Sequence, residues 1–361
     1  RKGFAIIWVE SIIFVGGILK MKKSLKLFAI FTLIATFVAG LIAPFTAKAA
    51  EKIDTIKIGF VPSRNPDEIV TSTEPLKQLL KDELAKNGFE VENVEITVGT
   101  NFEAVGEGLA SGTLDYGFIP SGTYVLFSDD VEVLLTATRQ GLNKNSTEPK
   151  EWNDKKATEP TDEQVTFYKG LILAGPSAKG KELAEKVNKG EKLTWDDLNS
   201  AKWTVLSSSS ASGYIYPTLW LKENFGKKIT DLANVAQSDS YTNAMTRLAA
   251  EQVDIVVGYA DLRRDNVDKW QKEMGASAPI WEATNVIGVT PDIVNDTVSA
   301  SKTSTTVSPE LNEAIKKALM DIAKTEEGKK VIKIYNHTGY KEAKDEDYNK
   351  EREAQKLIKG N

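Results

Sequence analysis

The chain has 361 residues and contains 46 Lys and Arg, 51 Asp and Glu, no cysteine and one histidine. This is the composition of a globular protein, and the length suffices for about two domains of roughly 150 residues each. The absence of cysteine excludes disulfides, iron–sulfur clusters, thiolate zinc sites and a cysteine nucleophile. A single histidine argues against a Ser-His-Asp triad and a multi-histidine metal site. Much enzyme chemistry is thereby excluded, and we expect no cofactor and no metal.

The first 49 residues have the pattern of an export signal. Met21–Lys26 is basic, residues 27–45 are almost wholly apolar, and small residues follow at 47 and 49. This order predicts a signal peptide that starts at Met21 and is cleaved after Ala49, behind an upstream segment of residues 1–20. The alternative is a retained membrane anchor, because the apolar run is about long enough to span a bilayer. We expect export to the periplasm or the outer membrane face, without a lipobox cysteine.

Charge is unevenly distributed along the chain. Residues 1–49 hold seven of the 46 basic residues and one of the 51 acidic residues, which leaves 39 basic and 50 acidic residues for the remainder. The 312 residues after Ala49 therefore carry a net charge of −11. Such an acidic chain argues against a nucleic-acid partner.

Strand and helix patterns alternate in the first half of this remainder. Strands are predicted at Ile56–Pro62, Val91–Val98, Leu114–Ile119 and Val131–Thr138. Helices are predicted from Thr73 to about Gly88 and from Asn101 to about Gly112. This alternation predicts βαβ units and a mostly parallel sheet. Residues 142–164 are polar and predict a long loop.

A second series of strands and helices follows this loop. It comprises a strand at Tyr168–Ala174, a helix at Lys179–Val187, a strand at Trp203–Leu206, helices at Ser212–Phe225 and Asn243–Glu251, and a strand at Val253–Tyr259. Later helices are predicted at Pro309–Lys324 and Lys329–Tyr335, before a charged tail that is expected to be a surface helix or frayed.

The densest polar run, Ser207–Gly213, lies between a predicted strand and the following helix. Short hydroxyl residues and glycine at a helix start leave several backbone N–H groups free to bind an anion. One helix cap needs only one serine, so this run favours anion binding over an ordinary cap.

Other hydroxyl groups follow predicted strands. Ser121, Thr123 and Tyr124 come after Leu114–Ile119, and Ser63 follows the first strand. Ser240 and Tyr241 precede the helix at Asn243. Ligands of open α/β sheets bind at the carboxyl ends of strands, so these groups are candidate ligand contacts. Each alone is also explained by a turn or a helix cap. His337 lies in a helix-end turn and is interpreted as a cap or surface residue.

Four segments occur in an order that resembles the phosphate/phosphite/phosphonate-binding proteins of ABC importers. They are Ile58–Pro62, Leu114–Tyr124, Ser210–Tyr214 and Val253–Val256. The resemblance covers about residues 53–340, and the Ser-x-Ser-Gly helix start is its most specific part.

The resemblance implies an α/β, two-lobed type II solute-binding fold, in which each lobe is a mostly parallel sheet flanked by helices. Lobe one would comprise residues 52–172 and 283–340, lobe two residues 173–282, and residues 341–361 a charged tail. The chain would cross between the lobes near 171–174 and 282–285. Two crossings make a hinge, and ligand would stabilise its closed state.

The resemblance also implies the site. In the family, Ser-x-Ser-Gly hydroxyls and amides hold the phosphonate oxygens, which corresponds to Ser210, Ser212 and the backbone around Ala211. A family histidine aligns near Ser240, and Asp261 falls where some members bind a ligand amine. The complete set of candidate ligand-binding residues is Ser63, Ser121, Thr123, Tyr124, Ser210, Ala211, Ser212, Gly213, Ser240, Tyr241 and Asp261.

The implied function is the solute-binding component of an ABC importer. It would capture a phosphonate, phosphite or phosphate-type oxyanion by neutral donors, as a monomer, and deliver it to permease subunits with a cytoplasmic ATPase. One alternative is the same fold with a sulfonate, a carboxylate or a vitamin precursor as ligand. Others are an enzyme that uses Asp239 or Asp261 as acid or base, and a sensor domain.

Overall fold

Two separate β-sheets organise residues 49–359, the part of the chain that this computed structural model describes. The predicted signal peptide lies outside the described residues. The strands are β1 Glu51–Phe60, β2 Phe89–Val98, β3 Tyr116–Ile119, β4 Val131–Leu142, β5 Pro160–Val165, β6 Phe167–Ala174, β7 Trp203–Val205, β8 Val235–Gln237, β9 Ile255–Tyr259, β10 Asn285–Val294, β11 Thr297–Ser301 and β12 Gly339–Glu342.

Helices cover both sheets. They are α1 Pro66–Lys86, α2 Phe102–Ala110, α3 Ser121–Phe127, α4 Ala178–Asn188, α5 Trp195–Asn199, α6 Tyr216–Phe225, α7 Tyr241–Ala249, α8 Leu262–Lys272, α9 Ile280–Ala283, α10 Pro309–Ile322, α11 Glu326–Ile332 and α12 Asn349–Lys359. Within residues 49–359, none of them has the length and apolar character needed to cross a membrane.

The first sheet has the strand order β12-β4-β11-β3-β1-β2, with β5 paired to β4, and the second has the order β10-β6-β9-β7-β8. The predicted βαβ units form the parallel part, in which β1 pairs with β2 and β3, and β7 pairs with β8 and β9. Antiparallel pairs are added by β10, β11 and β12, strands that the sequence pattern did not reveal. The predicted two-sheet α/β fold class is confirmed. The expectation of mostly parallel sheets was wrong, because six of the ten strand pairs are antiparallel.

The chain passes between the sheets twice. It leaves the first sheet after Val165 and enters the second at Phe167, and it returns between Val294 and Thr297. The strands β6 and β10 lie wholly in the second sheet, so the crossings lie at residue 166 and at residues 295–296 instead of near 171–174 and 282–285.

The first helix begins earlier than predicted. The Asn65 side chain accepts a hydrogen bond from the Asp67 N–H, and Pro66 occupies the first turn, where its missing N–H costs nothing. The prediction that the helix opens at Thr73 was wrong, because Pro75, a residue that suits the first turn of a helix, lies inside α1. Leucines recur at helical spacing in this segment, and of these Leu76, Leu80 and Leu84 are buried while Leu79 is half-buried.

The segment 142–164 is only partly the polar loop that was predicted. It contains a 3-10 turn, Pro149–Trp152, and the strand β5. Trp152 is fully buried, and its indole N–H donates to the Ser146 carbonyl oxygen at 3.0 Å. One aromatic residue thus anchors a polar segment whose composition alone predicts a loop.

The tail after residue 341 packs against both sheets' helices. Helix α12 contacts α3 and α6, and Ala354 and Ile358 join an apolar cluster with Ile215 and Leu219. Of the two expectations for the tail, the surface helix is the one that forms, and it is packed by one face instead of frayed. Glu351 is fully buried in this contact and accepts a hydrogen bond from Ser121 Oγ at 3.4 Å. Burial raises the pKa of Glu351 to about 7.

We expect Glu351→Gln to change the pH dependence of stability. Because the native state holds this proton more tightly than the unfolded chain, the contribution of Glu351 to stability is fully present below about pH 4.5 and is lost as the pH rises through about 7. The neutral amide removes this loss, which is on the order of 3 kcal/mol. Urea unfolding at pH 4 and pH 8 should therefore show a more stable variant only at pH 8.

The matched control is Glu353→Gln, which removes an exposed carboxylate from the same helix. It should follow the wild-type pH profile. Equal pH profiles for the two variants would contradict the assignment to Glu351.

Candidate functional site

A cavity of about 50 Å³ lies between the two sheets, at the carboxyl ends of their parallel strands. It exceeds the ~10–15 Å³ that one water molecule needs. Most of its lining residues follow or end a strand: Val61, Ser63 and Arg64 after β1, Phe102 after β2, Pro120 after β3, Ser210, Ala211 and Ser212 after β7, Tyr241 after β8, Tyr259 ending β9, and Asp296 after β10. The others are Arg139 within β4, Tyr168 within β6, and Tyr335 and Asn336 before β12. The cavity therefore lies where the sequence predicted that the residues following several strands would meet.

The serine-rich segment forms one wall through an unusual helix start. Ala211–Ile215 is a π-helical turn that leads directly into α6. The Ser210 carbonyl oxygen accepts from the N–H groups of Tyr214 and Ile215 at 3.1 and 3.0 Å, and Ser210 Oγ accepts from Gly213 N–H at 3.2 Å. The first N–H groups of a helix have no intrahelical acceptor, so those of Ala211 and Ser212 are donors available at the cavity.

Three hydroxyl groups meet on this wall. Tyr241 Oη lies 2.8 Å from Ser212 Oγ and 3.3 Å from Ser210 Oγ. Burial raises the pKa of Tyr241 to about 12, so its hydroxyl stays protonated and can donate a hydrogen bond. The cluster can present O–H donors to an anion if the hydroxyl groups rotate away from one another.

Arg139 brings positive charge to the cavity. It is 5% exposed, and its guanidinium stacks over the Tyr168 ring at 4.3 Å. Its ion-pair partner is Asp261, with 3.9 Å between Arg139 Nη1 and Asp261 Oδ2. Arg139 Nε has no hydrogen-bond partner among the described residues. A buried guanidinium with such weak pairing is a strong donor for an anionic group.

Asp296 places a negative charge on the same cavity. Its carboxylate lies 3.1 Å from His337 Nε2. Burial lowers the pKa of His337, and although burial would raise the pKa of Asp296, the hydrogen bond from His337 lowers it. We therefore assign an ionised Asp296 that accepts from a neutral imidazole. His337 is buried, so its interpretation as a cap or surface residue was wrong.

Asp265 joins the two sheets beside the cavity. Its Oδ2 atom accepts hydrogen bonds from Arg64 at 2.6 Å, Asn336 at 2.7 Å and Tyr259 at 2.9 Å. Arg64 and Asn336 belong to the first-sheet side, and Tyr259 ends a strand of the second sheet. Further contacts between the sides include Tyr241 N–H to the Ser63 carbonyl at 3.1 Å.

Five of the candidate residues from the sequence lie on the cavity wall: Ser63, Ser210, Ala211, Ser212 and Tyr241. Four others support this wall from behind. Ser121 donates to Glu351, and Thr123 donates to Ser209 Oγ at 3.1 Å, which ties α3 to the serine segment. Gly213 donates to Ser210 Oγ, and Ser240 caps α7 by accepting from the Asn243 N–H.

The remaining two candidates lie elsewhere. Tyr124 donates to Asp345 at 2.5 Å, near the start of the tail. Asp261 lines a neighbouring cavity of about 150 Å³, which shares Arg139 and Tyr168 with the first. Burial raises the pKa of Asp261, which lies 2.6 Å from Arg264.

Sequence reasoning missed the charged residues of the cavity. Arg139 lies inside a strand, and Asp296 lies between two strands that the pattern did not reveal. Arg64 directly follows Ser63, so its place at a strand end could have indicated it. Among residues 49–359, no group of acidic or histidine side chains is placed to hold a metal ion.

A family model for the periplasmic substrate-binding protein of phosphonate ABC transporters matches residues 58–348. The chain belongs to this family. The resemblance predicted from the sequence is therefore confirmed, and with it the function of an ABC-transporter substrate-binding protein. Members of the phosphonate-binding family are binding proteins and not enzymes. They are periplasmic and work with a small ligand and permease partners.

Solved structures share the fold at low sequence identity. A binding-protein component of an ABC phosphonate transporter from Pseudomonas aeruginosa is 15% identical, with 85% of this chain and 87% of that chain covered and a TM-score of 0.60. PhnD1 from Prochlorococcus marinus, in complex with methylphosphonate, is 15% identical, with coverages of 85% and 98% and a TM-score of 0.61. A Xanthomonas citri protein bound to chloride is 14% identical, with coverages of 85% and 96% and a TM-score of 0.57.

We expect Asp265→Ala to lower the free energy of unfolding by about 3 kcal/mol, because it leaves the largely buried Arg64 guanidinium without its carboxylate. Urea unfolding followed by tryptophan fluorescence measures the change. Asp268→Ala removes an exposed carboxylate from the same helix and should cost much less. Equal losses for the two variants would show that the hydrogen bonds to Asp265 do not stabilise the fold.

Proposed function

We propose that this phosphonate-binding family member captures a phosphonate, phosphite or phosphate-type oxyanion in the cavity between its two sheets. The observation that carries the proposal is the wall on which Ser210, Ser212 and Tyr241 hydroxyls meet beside the free N–H groups of a helix start. A tetrahedral head with several oxygens matches several converging donors. A hydrogen bond to a charged group contributes roughly 1.5–3 kcal/mol, so a few such bonds supply micromolar affinity.

Arg139 modifies the expectation that neutral donors act alone. Its guanidinium is buried, faces the cavity and lacks a close carboxylate. We propose that Arg139 supplies the positive counter-charge that the ligand needs. Asp296 adds a negative charge to the same cavity and would repel a second anionic group, so the site holds one anionic head. This combination favours an oxyanion over a neutral ligand such as an uncharged vitamin precursor.

We further propose that the two sheets belong to two lobes that open and close on this ligand. The support is the set of hydrogen bonds between the sides, such as Asp265 with Arg64 and Tyr241 with Ser63. Opening would break these bonds, and a bound anion would compensate by contacting both sides. The chain would act as an exported monomer, after cleavage behind Ala49, and would deliver the anion to permease subunits driven by a cytoplasmic ATPase.

The ligand class is tested by isothermal titration calorimetry of the purified protein with methylphosphonate, phosphite and phosphate. We expect micromolar or tighter binding of at least one. Ser210→Ala/Ser212→Ala should weaken that binding by roughly 100-fold or more, because two donors to a charged group are lost. The control Ser111→Ala/Ser200→Ala removes two exposed hydroxyls and should bind normally. Binding of a sulfonate or carboxylate alone would identify another ligand class.

The counter-charge is tested with Arg139→Gln, which we expect to weaken oxyanion binding roughly 10- to 100-fold. Arg139→Lys keeps the charge and should recover part of the affinity, which a purely structural role would not predict. Calorimetry of both variants with the same anion decides. Undiminished affinity in the glutamine variant would remove Arg139 from the site.

A further inference from the structure

A wide depression of about 580 Å³ lies beside the oxyanion cavity, and we name it the vestibule. It shares Arg64 and Asn336 with the cavity. Its other lining residues come from both sides of the cleft. The first-sheet side contributes Glu68 and Ser72 of α1, Gln140 of β4, Pro160 of β5, and Lys330, Lys333 and Ile334 at and just after the end of α11, and the other side contributes Arg264 and Asp265 of α8. The vestibule is therefore continuous with the site and open on the outside.

The vestibule carries an excess of positive charge. Four basic residues line it, against the two acidic residues Glu68 and Asp265. Both acids are already paired, Asp265 with Arg64 at 2.6 Å and Glu68 with Lys269 at 2.9 Å. Lys330 and Lys333 are exposed, and neither forms an ion pair within residues 49–359.

This local excess opposes the net charge of the chain. The residues after Ala49 carry −11 in total, which repels an approaching anion at long range. In physiological salt, charges separated by more than about 8 Å are largely screened. Inside the vestibule an anion therefore experiences mainly Lys330 and Lys333, because the acids and arginines of the lining are already paired. A local excess of one sign of charge concentrates ions of the other sign.

We propose that the vestibule is an anion-docking site, in which Lys330 and Lys333 hold an incoming oxyanion before the cleft closes over it; Arg264, the fourth vestibule cation, is already paired with Asp261 at 2.6 Å. The inference rests on the proposed function, since it concerns the entry of the same ligand. It assigns a role to lysines that do not line the cavity itself. Attraction of an oxyanion by these lysines grows with the charge that the oxyanion carries.

The Asp265 hydrogen bonds mark the border between docking site and cavity. Arg64 and Asn336 line both spaces, and both donate to Asp265. In the proposed open state these bonds would be broken, and Arg64 would face the vestibule without its carboxylate. A docked anion can then pass along Arg64 into the cavity, and the return of Asp265 closes the passage behind it.

The experiment is stopped-flow fluorescence of methylphosphonate binding to the full chain, with calorimetry of the same samples. Lys330→Gln/Lys333→Gln should lower the association rate constant about ten-fold at low salt, with little change in the dissociation rate constant. The difference from wild type should largely vanish at about 0.5 M salt. The control Lys181→Gln/Lys189→Gln removes the same total charge at two exposed positions on and just after helix α4, and its association rate should change little.

Two results would overturn the docking site. One is an association rate that stays at the wild-type value in the vestibule variant, and the other is an equal loss in the control variant, which would indicate total charge as the cause. If wild-type protein binds none of methylphosphonate, phosphite and phosphate in calorimetry, the proposed function fails and the docking site fails with it. Normal affinity with an unchanged rate rejects the docking site alone.

Discussion

One carboxylate oxygen of Asp265 connects the two halves of this protein. It accepts hydrogen bonds from Arg64 and Asn336 on one side of the cleft and from Tyr259 on the other. All three donors border the cavity, so the position of its walls depends on this contact. A largely buried charge with three partners is stable only while every partner is present. In the proposed opening of the cleft, this contact between the two sides would break.

Charge is balanced locally in the cleft and not across the whole chain. Arg64 is paired with Asp265, and Asp296 accepts from His337, whereas Arg139 has only a distant partner in Asp261. The cavity thus offers one weakly paired guanidinium next to hydroxyl and amide donors. Such an arrangement can bind an oxyanion although the protein is acidic, because buried charges interact strongly at short range while distant surface charges are screened.

The sequence predicted correctly that the hydroxyl residues after several strands lie together at the cavity. It did not predict the charged residues of the cavity, Arg139 and Asp296. Ser210, Ser212 and Tyr241 follow strands, and the rule that ligands bind at strand ends places them together. Arg139 lies within a strand whose neighbours are mostly buried, and no local pattern distinguishes it from a surface arginine. Ser121 and Thr123 also follow a strand, yet they face Glu351 and Ser209 behind the wall. Strand position predicts proximity to a site, but side-chain direction depends on packing.

Elements with strong local signals were predicted, and elements that depend on distant partners were not. Asn101 caps α2 as expected because the cap hydrogen bond is local, and the buried leucines of α1 follow helical spacing. Trp152 and Glu351 took on unexpected roles because each is buried by segments far away in the chain.

By itself the sequence determined the fold class, the family and the serine-rich helix start, since all three depend on short-range patterns of hydrophobicity, turns and hydroxyl residues. Only the tertiary structure decided which charges meet at the cavity, where the chain crosses between the sheets and how the tail packs. Many of those contacts join residues far apart in the chain, such as Arg64 with Asp265 and Ser121 with Glu351. A linear pattern carries no information on which distant side chains will meet.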